Sequence, residues 1–140
     1  MAGPVFRHTH RVIYAECTVG NHVYYSRHLE MLEEARGEFF RSLGHPLTEW
    51  QTAGTVFPVI GLNLSYKGAA RYDDLLTIEI WLSELGGARL TCAFRILRAD
   101  GALLVEGETR HVCATPEEKP KRLPKELLEL LQPFLIQPRG

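Results

Sequence analysis

The side chains best suited to acid–base chemistry lie in one short segment, ECTVGNHVYY, which covers residues 16–25. His22 is the candidate general base, because histidine is the side chain whose unperturbed pKa lies closest to neutrality. Thr18 carries a hydroxyl group that can orient a water molecule by hydrogen bonding. The pair predicts a site where water is activated. Two alternatives stay open: His22 is a solvated surface residue, or the Thr18 hydroxyl only bonds to nearby backbone.

A second candidate for proton transfer, Glu33, lies on the helical pattern that follows. At about 100° per residue, Glu33 and Arg36 fall on the apolar face of that pattern. The apolar residues of this face are Leu29, Leu32, Phe39, Phe40 and Leu43. Burying two charges is costly unless they are paired, and residues three positions apart on a helix can pair. We therefore expect a Glu33–Arg36 ion pair, with a catalytic Glu33 carboxylate as the alternative.

Two elements must position these residues. Residues 11–18 alternate in polarity, which predicts a first strand. Residues 24–43 follow a period of about 3.6 residues, which predicts a long helix. Gly44 and Pro46 come directly afterwards and are typical of residues that end a helix. The loop with His22 and Thr18 therefore lies between a strand and the helix start.

After the helix the hydrophobic period changes to two, which indicates strands. The alternating stretches cover residues 56–67, 76–83, 90–96 and 103–112. Gly86-Gly87 and Asp100-Gly101 separate the later stretches and are typical of tight hairpin turns. Four consecutive strands, each antiparallel to the one before it, are therefore predicted.

The tail contains a Pro-, Glu- and Lys-rich connector at residues 115–124 and a short amphipathic helix at residues 125–132, before Pro133. The order of strand, long helix, four strands and short helix is typical of the α+β class, with a helix packed on one face of an antiparallel sheet. A chain of 140 residues has the length of one domain, so we expect residues 1–140 to form a single unit.

Composition argues against several kinds of protein. The net charge is −1 without a long basic run, so no nucleic-acid surface is expected. No apolar run approaches the ~20 residues of a membrane span, and the N-terminus lacks the apolar core of a signal peptide, so we expect a cytoplasmic protein. Cys17, Cys92 and Cys113 lack metal-ligand spacing, and His8 and His10 lack a third ligand, so no metal site is expected.

Three separated segments carry a family resemblance: YAECTVGNHVYYSRHL at residues 14–29, LEEAR at residues 32–36 and LSYKGAARYDDLLTI at residues 64–78. In order and spacing they resemble hotdog-fold thioesterases of the 4-hydroxybenzoyl-CoA type, which include short-chain acyl-CoA thioesterases associated with the Tol-Pal cell-envelope system. The resemblance implies a five-stranded antiparallel sheet wrapped around a long central helix. It also implies a homodimer or homotetramer with active sites at a subunit interface, and no cofactor.

The chain departs from this family at one position. The family's loop usually reads close to D-T-D-x-x-G-x-V-x-Y, and its second aspartate is the catalytic carboxylate. Thr18 occupies that place, and a threonine hydroxyl cannot replace a carboxylate base without an activating partner. Thioesterases of enediyne polyketide pathways resemble this chain here, because they also carry a neutral polar residue and keep the V-Y-Y sequence and a helix arginine. Val23, Tyr24, Tyr25 and Arg36 match that pattern.

The resemblance implies roles for backbone groups at the helix start. The amides around Tyr24 and Tyr25 would hold the thioester oxygen, because N–H groups at a helix N-terminus are unpaired and carry partial positive charge. The alternative is that Asn21 or Ser26 simply caps the helix.

Further residues would bind the substrate carrier. The phosphates and adenine of coenzyme A, or a carrier protein's phosphopantetheine arm, would contact Tyr66, Lys67 and Arg71. The alternative is that these surface side chains are merely solvated.

The sequence therefore predicts a thioesterase that hydrolyses an acyl-CoA or acyl-carrier-protein thioester. Helix-end amides would bind the carbonyl oxygen, and His22, Thr18 or Glu33 would position the water. One alternative is a non-catalytic hotdog module that binds an acyl thioester or serves as a structural dimer. A dehydratase or hydratase is less favoured, because His22 has no carboxylate near it in sequence.

Overall fold

The structure is a computed structural model that describes residues 4–136. Five strands form one antiparallel sheet in the spatial order β1-β3-β4-β5-β2. The strands are β1 (Phe6–Arg11), β2 (Val59–Tyr66), β3 (Leu75–Gly86), β4 (Arg89–Arg98) and β5 (Leu103–Val112). The helices are α1 (Arg27–Ser42), α2 (Leu47–Thr52) and α3 (Lys125–Leu131). This confirms the predicted α+β class and its five-stranded sheet. The predicted domain, residues 1–140, extends beyond the described residues at both ends, so its extent stays a prediction.

The hydrophobic core lies between the sheet and α1. The sheet contributes buried side chains from alternate positions of its central strands: Leu76, Ile78, Ile80, Leu82, Phe94 and Ile96. The helix contributes Met31, Leu32, Ala35, Phe39 and Phe40. Each fully buried Leu, Ile, Met or Phe side chain stabilises the fold by roughly 1.5–3 kcal/mol relative to an exposed one. This packing fixes α1, and therefore its N-terminus, against the sheet.

The first strand lies earlier in the chain than the predicted residues 11–18. In β1, His8 and His10 are half-buried and alternate with exposed residues, and Phe6 pairs with Ile80 of β3. Residues 12–18 instead contain a 3₁₀ turn at Tyr14–Glu16. The turn forms because the Glu16 carboxylate accepts a hydrogen bond from the Ile13 N–H (2.8 Å), which alternating polarity alone does not reveal.

The long helix begins three residues later than predicted. The amides of Val23 and Tyr24 donate to the carbonyl oxygens of Ala70 (2.8 Å) and Glu16 (2.9 Å), so this segment is held extended before α1. The end agrees with the sequence, because Gly44 adopts the left-handed conformation (φ +90°) that stops a helix.

The remaining predicted elements have the expected type, but one short helix was not predicted and one strand pairs differently than its place in the sequence suggests. The helix α3 is confirmed, whereas the short α2 was not predicted. The four later strands are confirmed, but β2 pairs with β5 and not with β3, its neighbour in sequence. The strand β2 therefore lies at an edge of the sheet, where Val59, Ile60 and Leu62 are exposed.

The predicted Glu33–Arg36 ion pair is wrong. Glu33 is exposed, and no ion pair within 4 Å joins these residues in the part of the chain that the structure describes. The guanidinium of Arg36 instead lies 3.5 Å from Nε2 of His111, a buried residue of β5. Nδ1–H of His111 donates to the Phe57 carbonyl (3.0 Å), and the Thr109 hydroxyl lies 2.8 Å from Nε2. The side-chain contact recorded for Arg36 is therefore with His111 and not with Glu33.

None of the described helices has the length and apolar content that crossing a bilayer requires.

The buried His111 predicts a loss of stability in mild acid. Burial and the charge of Arg36 lower the pKa of His111 from 6.5 to about 4. Between these pH values the unfolded chain binds a proton at this residue and the folded chain does not, so lowering the pH favours unfolding. The free energy of unfolding should fall by roughly 3 kcal/mol from this residue alone.

Denaturant unfolding at pH 7 and pH 4.5 measures this effect. The difference between the two pH values should shrink in His111→Asn and persist in His45→Asn, which alters a half-buried histidine bound to Glu49 and Glu126. An equal acid loss in wild type and His111→Asn would contradict the assignment.

Candidate active site

A hollow of about 430 Å³ lies at the N-terminus of α1. Its lining residues come from the loop before the helix, the first helical turn and the end of β2: Thr18, His22, Val23, Tyr24, Tyr25, His28, Tyr66, Gly68 and Ala69. The structure thus brings together five of the predicted site residues, namely Thr18, His22, Tyr24, Tyr25 and Tyr66. It also adds His28, which the sequence analysis missed.

The loop before α1 is held by backbone bonds and by a neighbouring turn. Thr18 N–H donates to the His22 carbonyl (2.8 Å), and Asn21, in a left-handed conformation (φ +54°), donates to the Thr18 carbonyl (3.0 Å). The Arg71 guanidinium donates to the Asn21 carbonyl (3.2 Å), and Tyr72 N–H donates to the Asn21 side-chain oxygen (3.2 Å). Arg71 therefore positions the loop, and it does not line the hollow.

The carboxylate of Glu16 is turned away from the hollow. Glu16 is only 8% exposed, and its carboxylate lies 2.9 Å from Nε2 of His10. The other ring nitrogen of His10 lies 3.0 Å from Glu34 on α1. Burial disfavours the charged imidazole, but the two carboxylates outweigh burial and raise the pKa of His10. This network ties β1 and the start of the loop before α1 to the helix.

Of the two amides expected to be available at the helix start, those of Tyr24 and Tyr25, only the second is free. Tyr24 N–H already donates to the Glu16 carbonyl, whereas the N–H groups of Tyr25 and Ser26 donate no hydrogen bond within the described residues. Ser26 stands at the N-cap without a side-chain capping bond, and Asn21 bonds elsewhere, so neither residue caps α1 as the alternative supposed. The Tyr25 and Ser26 amides, at the positive end of the helix dipole, are therefore the donors available to an oxyanion.

The Tyr25 carbonyl accepts two hydrogen bonds from side chains that line the hollow. Nδ1 of His28 lies 2.8 Å from this oxygen, and the Tyr66 hydroxyl lies 2.9 Å from it. Because a carbonyl only accepts, Nδ1 of His28 must carry the proton and Nε2 must carry the lone pair. The His28 and Tyr66 rings pack edge to face, with centroids 5.2 Å apart. The tautomer and the ring orientation of His28 are both fixed.

Burial sets the protonation states of these two side chains. His28 is 4% exposed, and burial lowers the pKa of its imidazole although the Tyr25 carbonyl and the charge of Glu16 act the other way. Burial raises the pKa of the Tyr66 phenol, which keeps its hydroxyl proton available to the Tyr25 carbonyl. At neutral pH the hollow therefore holds a neutral imidazole and a neutral phenol.

The sequence contained a signal for His28. It lies three positions after Tyr25, in the first turn of α1. Side chains on a helix lean towards the helix N-terminus. An imidazole there leans over the end of the helix, where the free amides lie.

Thr18 and His22 form the outer part of the hollow. The Thr18 hydroxyl lies 3.3–3.4 Å from the ring nitrogens of His22, which is a long hydrogen bond, and His22 is exposed. Both residues can contact a bound molecule, but His22 is not held in one orientation as firmly as His28.

The other three predicted residues, Glu33, Lys67 and Arg71, lie outside this hollow. Glu33 lines a second hollow, of about 260 Å³, five residues further along α1 and about 7.5 Å along its axis from His28. Lys67 is exposed beside Tyr66, and its N–H donates to the Leu104 carbonyl (2.7 Å). No Asp or Glu occurs among the described residues that line the first hollow, so Glu33 does not belong to that lining.

Residues 4–136 contain no group of three or more His, Cys, Asp or Glu side chains arranged to hold a metal ion. His8 and His10 instead share the Glu34 carboxylate, at 3.1 and 3.0 Å.

The assigned tautomer of His28 can be measured directly. Long-range ¹H–¹⁵N NMR spectra should show the Nδ1-protonated imidazole and a titration midpoint below 6.5, because burial disfavours the charged ring. His45 serves as an internal control with a midpoint above 6.5, since hydrogen bonding to Glu49 raises its pKa. An Nε2-protonated ring, or a midpoint of His28 at or above 6.5, would contradict the geometry.

Comparison with known proteins agrees with this geometry. The chain matches the family model described as "Thioesterase superfamily" over residues 20–105. It is 34% identical over 122 residues to "Acyl-CoA thioesterase YbgC" of Haemophilus influenzae, covering 84% of this chain and 87% of that protein. It is 31% identical over 125 residues to "Acyl-CoA thioester hydrolase YbgC" of Escherichia coli O157:H7, covering 89% and 93%.

A solved structure, that of a hypothetical protein from Thermus thermophilus, superposes with a TM-score of 0.84 at 32% identity and covers 93% of this chain and 98% of that one. The hotdog resemblance is confirmed, and the chain belongs to the thioesterase superfamily.

Proposed function

We propose that this protein hydrolyses acyl-CoA thioesters in the hollow at the start of α1. The observation that carries the proposal is the free Tyr25 amide beside the neutral His28 imidazole, at the positive end of a helix. The names of the relatives from Haemophilus influenzae and Escherichia coli support acyl-CoA as the substrate class.

The reaction needs one donor for the carbonyl oxygen and one group that activates water. Tyr25 N–H would donate to the thioester oxygen and stabilise the oxyanion that forms when water attacks the carbonyl carbon. The new C–O bond forms, the C–S bond breaks, and the products are a carboxylic acid and a free thiol. Removing one such donor typically costs about 10²–10³ in rate, so the orientation of the peptide group between Tyr24 and Tyr25 matters.

The acyl group would extend into the second hollow, between α1 and β2. This hollow is lined by Leu29, Leu32, Val59 and Leu62, with Glu33 and Arg36 at its polar side. Apolar side chains on two neighbouring elements suit an aliphatic or aromatic acyl group. The carrier would lie on the opposite side, near Tyr66, Lys67 and Arg71, as the sequence suggested.

We further propose that two copies of the chain pair through β2. An edge strand presents unpaired backbone groups, and β2 also exposes Val59, Ile60 and Leu62 beside the second hollow. A second copy paired there would cover these side chains and close the acyl hollow. Pairing of two such dimers into a tetramer stays a prediction, as do the cytoplasmic location and the lack of a nucleic-acid or membrane partner.

The alternatives make different predictions. A non-catalytic module that binds acyl thioesters would show ligand-dependent thermal stabilisation without turnover. A dehydratase or hydratase is disfavoured, because the described lining of the first hollow offers no carboxylate to pair with a histidine.

Hydrolysis can be tested by following free thiol released from a panel of aliphatic and aromatic acyl-CoA thioesters. We expect turnover of at least one member, and the same acyl group on phosphopantetheine or a carrier protein then compares the two carriers. Thermal shifts measured with the same panel separate binding from catalysis. Stabilisation without thiol release from any member would contradict the thioesterase proposal and favour the non-catalytic module.

Pairing through β2 can be tested by placing a charge on the strand. Ile60→Lys should convert a dimer into a monomer in light-scattering measurements, because an exposed apolar residue of the proposed interface becomes charged. Ile13→Lys is the matched control, since Ile13 is also exposed and follows β1, the strand at the opposite edge of the sheet. A dimer that survives Ile60→Lys, or a wild-type monomer, would contradict the proposed interface.

A further inference from the structure

We infer that His28 is the general base of this site, taking the place of the aspartate that the chain lacks at Thr18. The inference rests on the proposed thioester hydrolysis and adds to it a residue that the sequence analysis did not identify.

Geometry separates His28 from the other candidates. Its ring is bonded through Nδ1 to the carbonyl of Tyr25, the same residue whose N–H is available to the substrate oxygen. Base and oxyanion donor are therefore fixed relative to each other by one short segment of backbone. His22 is exposed and only loosely bonded to Thr18, and Glu33 lies in the other hollow.

The hydrogen-bond pattern leaves Nε2 able to accept a proton. Nδ1 is committed to the Tyr25 carbonyl as a donor, and Nε2 has no hydrogen-bond partner within the described residues. His28 lines the hollow, and its Nε2, which has no hydrogen-bond partner, is not fully enclosed by the described residues. Nε2 is therefore the ring nitrogen available to a water molecule in the hollow.

The reaction can then be written with its protons. Nε2 of His28 accepts a proton from water as the water oxygen bonds to the carbonyl carbon, and the carbonyl oxygen becomes an oxyanion at Tyr25 N–H. When the oxyanion collapses, the C–S bond breaks and Nε2–H returns the proton to the leaving sulfur. No external oxidant, reductant or metal is required.

The surroundings can stabilise the imidazolium that forms for this short time. The Tyr25 carbonyl would bond more strongly to a charged Nδ1–H than to a neutral one, and the charge of Glu16 favours a positive ring. The other titratable groups around the hollow are Tyr24, Tyr25, Tyr66 and His22. None of them is a carboxylate that would hold His28 in the charged form before the reaction.

The test compares His28→Asn with wild type. The Asn amide can still donate to the Tyr25 carbonyl from the position of Nδ1, but it has no group in the position of Nε2. We expect kcat to fall by about 10²–10⁴ with the thermal midpoint retained, which is the usual contribution of a general base. His45→Asn removes a half-buried histidine outside the hollow and should leave kcat unchanged.

A pH profile separates catalysis from a structural role. Wild-type kcat/KM should fall on the acid side with a midpoint below 6.5, and this fall should be absent from the residual activity of His28→Asn. Imidazole added to His28→Gly should restore part of the rate.

Two outcomes would overturn the inference while leaving the thioesterase proposal intact. One is a kcat of His28→Asn within a few-fold of wild type. The other is an acid limb that persists in His28→Asn and disappears in His22→Asn. A wild-type protein that binds the acyl-CoA panel without hydrolysing it would overturn both proposals.

Discussion

The carbonyl oxygen of Tyr25 is the acceptor on which the site depends. It receives hydrogen bonds from Nδ1 of His28 (2.8 Å) and from the Tyr66 hydroxyl (2.9 Å). The bond from Tyr66 joins the start of α1 to the end of β2, two segments that are far apart in sequence. The bond from His28 lies within the start of α1. They also orient the peptide group between Tyr25 and Ser26, whose N–H is one of the two free donors at the helix start, and they select the His28 tautomer. A single backbone group thus fixes the donor, the imidazole and the wall of the hollow.

The rest of the fold holds that peptide group in place. The core between α1 and the sheet fixes the helix axis, and Val23 and Tyr24 are held extended by Ala70 and Glu16. Glu16 is fixed by His10 and by the Ile13 amide, so its carboxylate stays outside the hollow. The consequence is a site without a carboxylate in its described lining. A buried imidazole suits such a site, because it is neutral before the reaction and needs no charged partner in order to accept a proton.

Much of the fold was predictable from the sequence, because it rests on periodicity. The change from a 3.6-residue period to a two-residue period located the helix and four strands, and Gly44 and Pro46 located the helix end. The position of β1 was not predictable, since the turn at Tyr14–Glu16 depends on a carboxylate bonding to the Ile13 amide. The pairing of β2 with β5 is likewise a long-range choice that alternation along one strand does not encode.

The site was predictable only in part, namely where its residues are neighbours in sequence. Thr18, His22, Tyr24 and Tyr25 belong to one loop and so were expected to lie together, and the family resemblance supplied Tyr66. Glu33 was placed by helical position alone, which gives the face of a helix but not the hollow that it lines. His28 was missed because its role depends on burial and on the bond to Tyr25, and both are properties of the folded chain.

The most direct test of this account is a crystal structure with a non-hydrolysable acyl-CoA analogue that keeps the carbonyl group. The account predicts the carbonyl oxygen within hydrogen-bonding distance of Tyr25 N–H, the carbonyl carbon facing Nε2 of His28 and the acyl group between α1 and β2. A carbonyl group bound beside Glu33, with Tyr25 N–H and His28 away from it, would contradict the account.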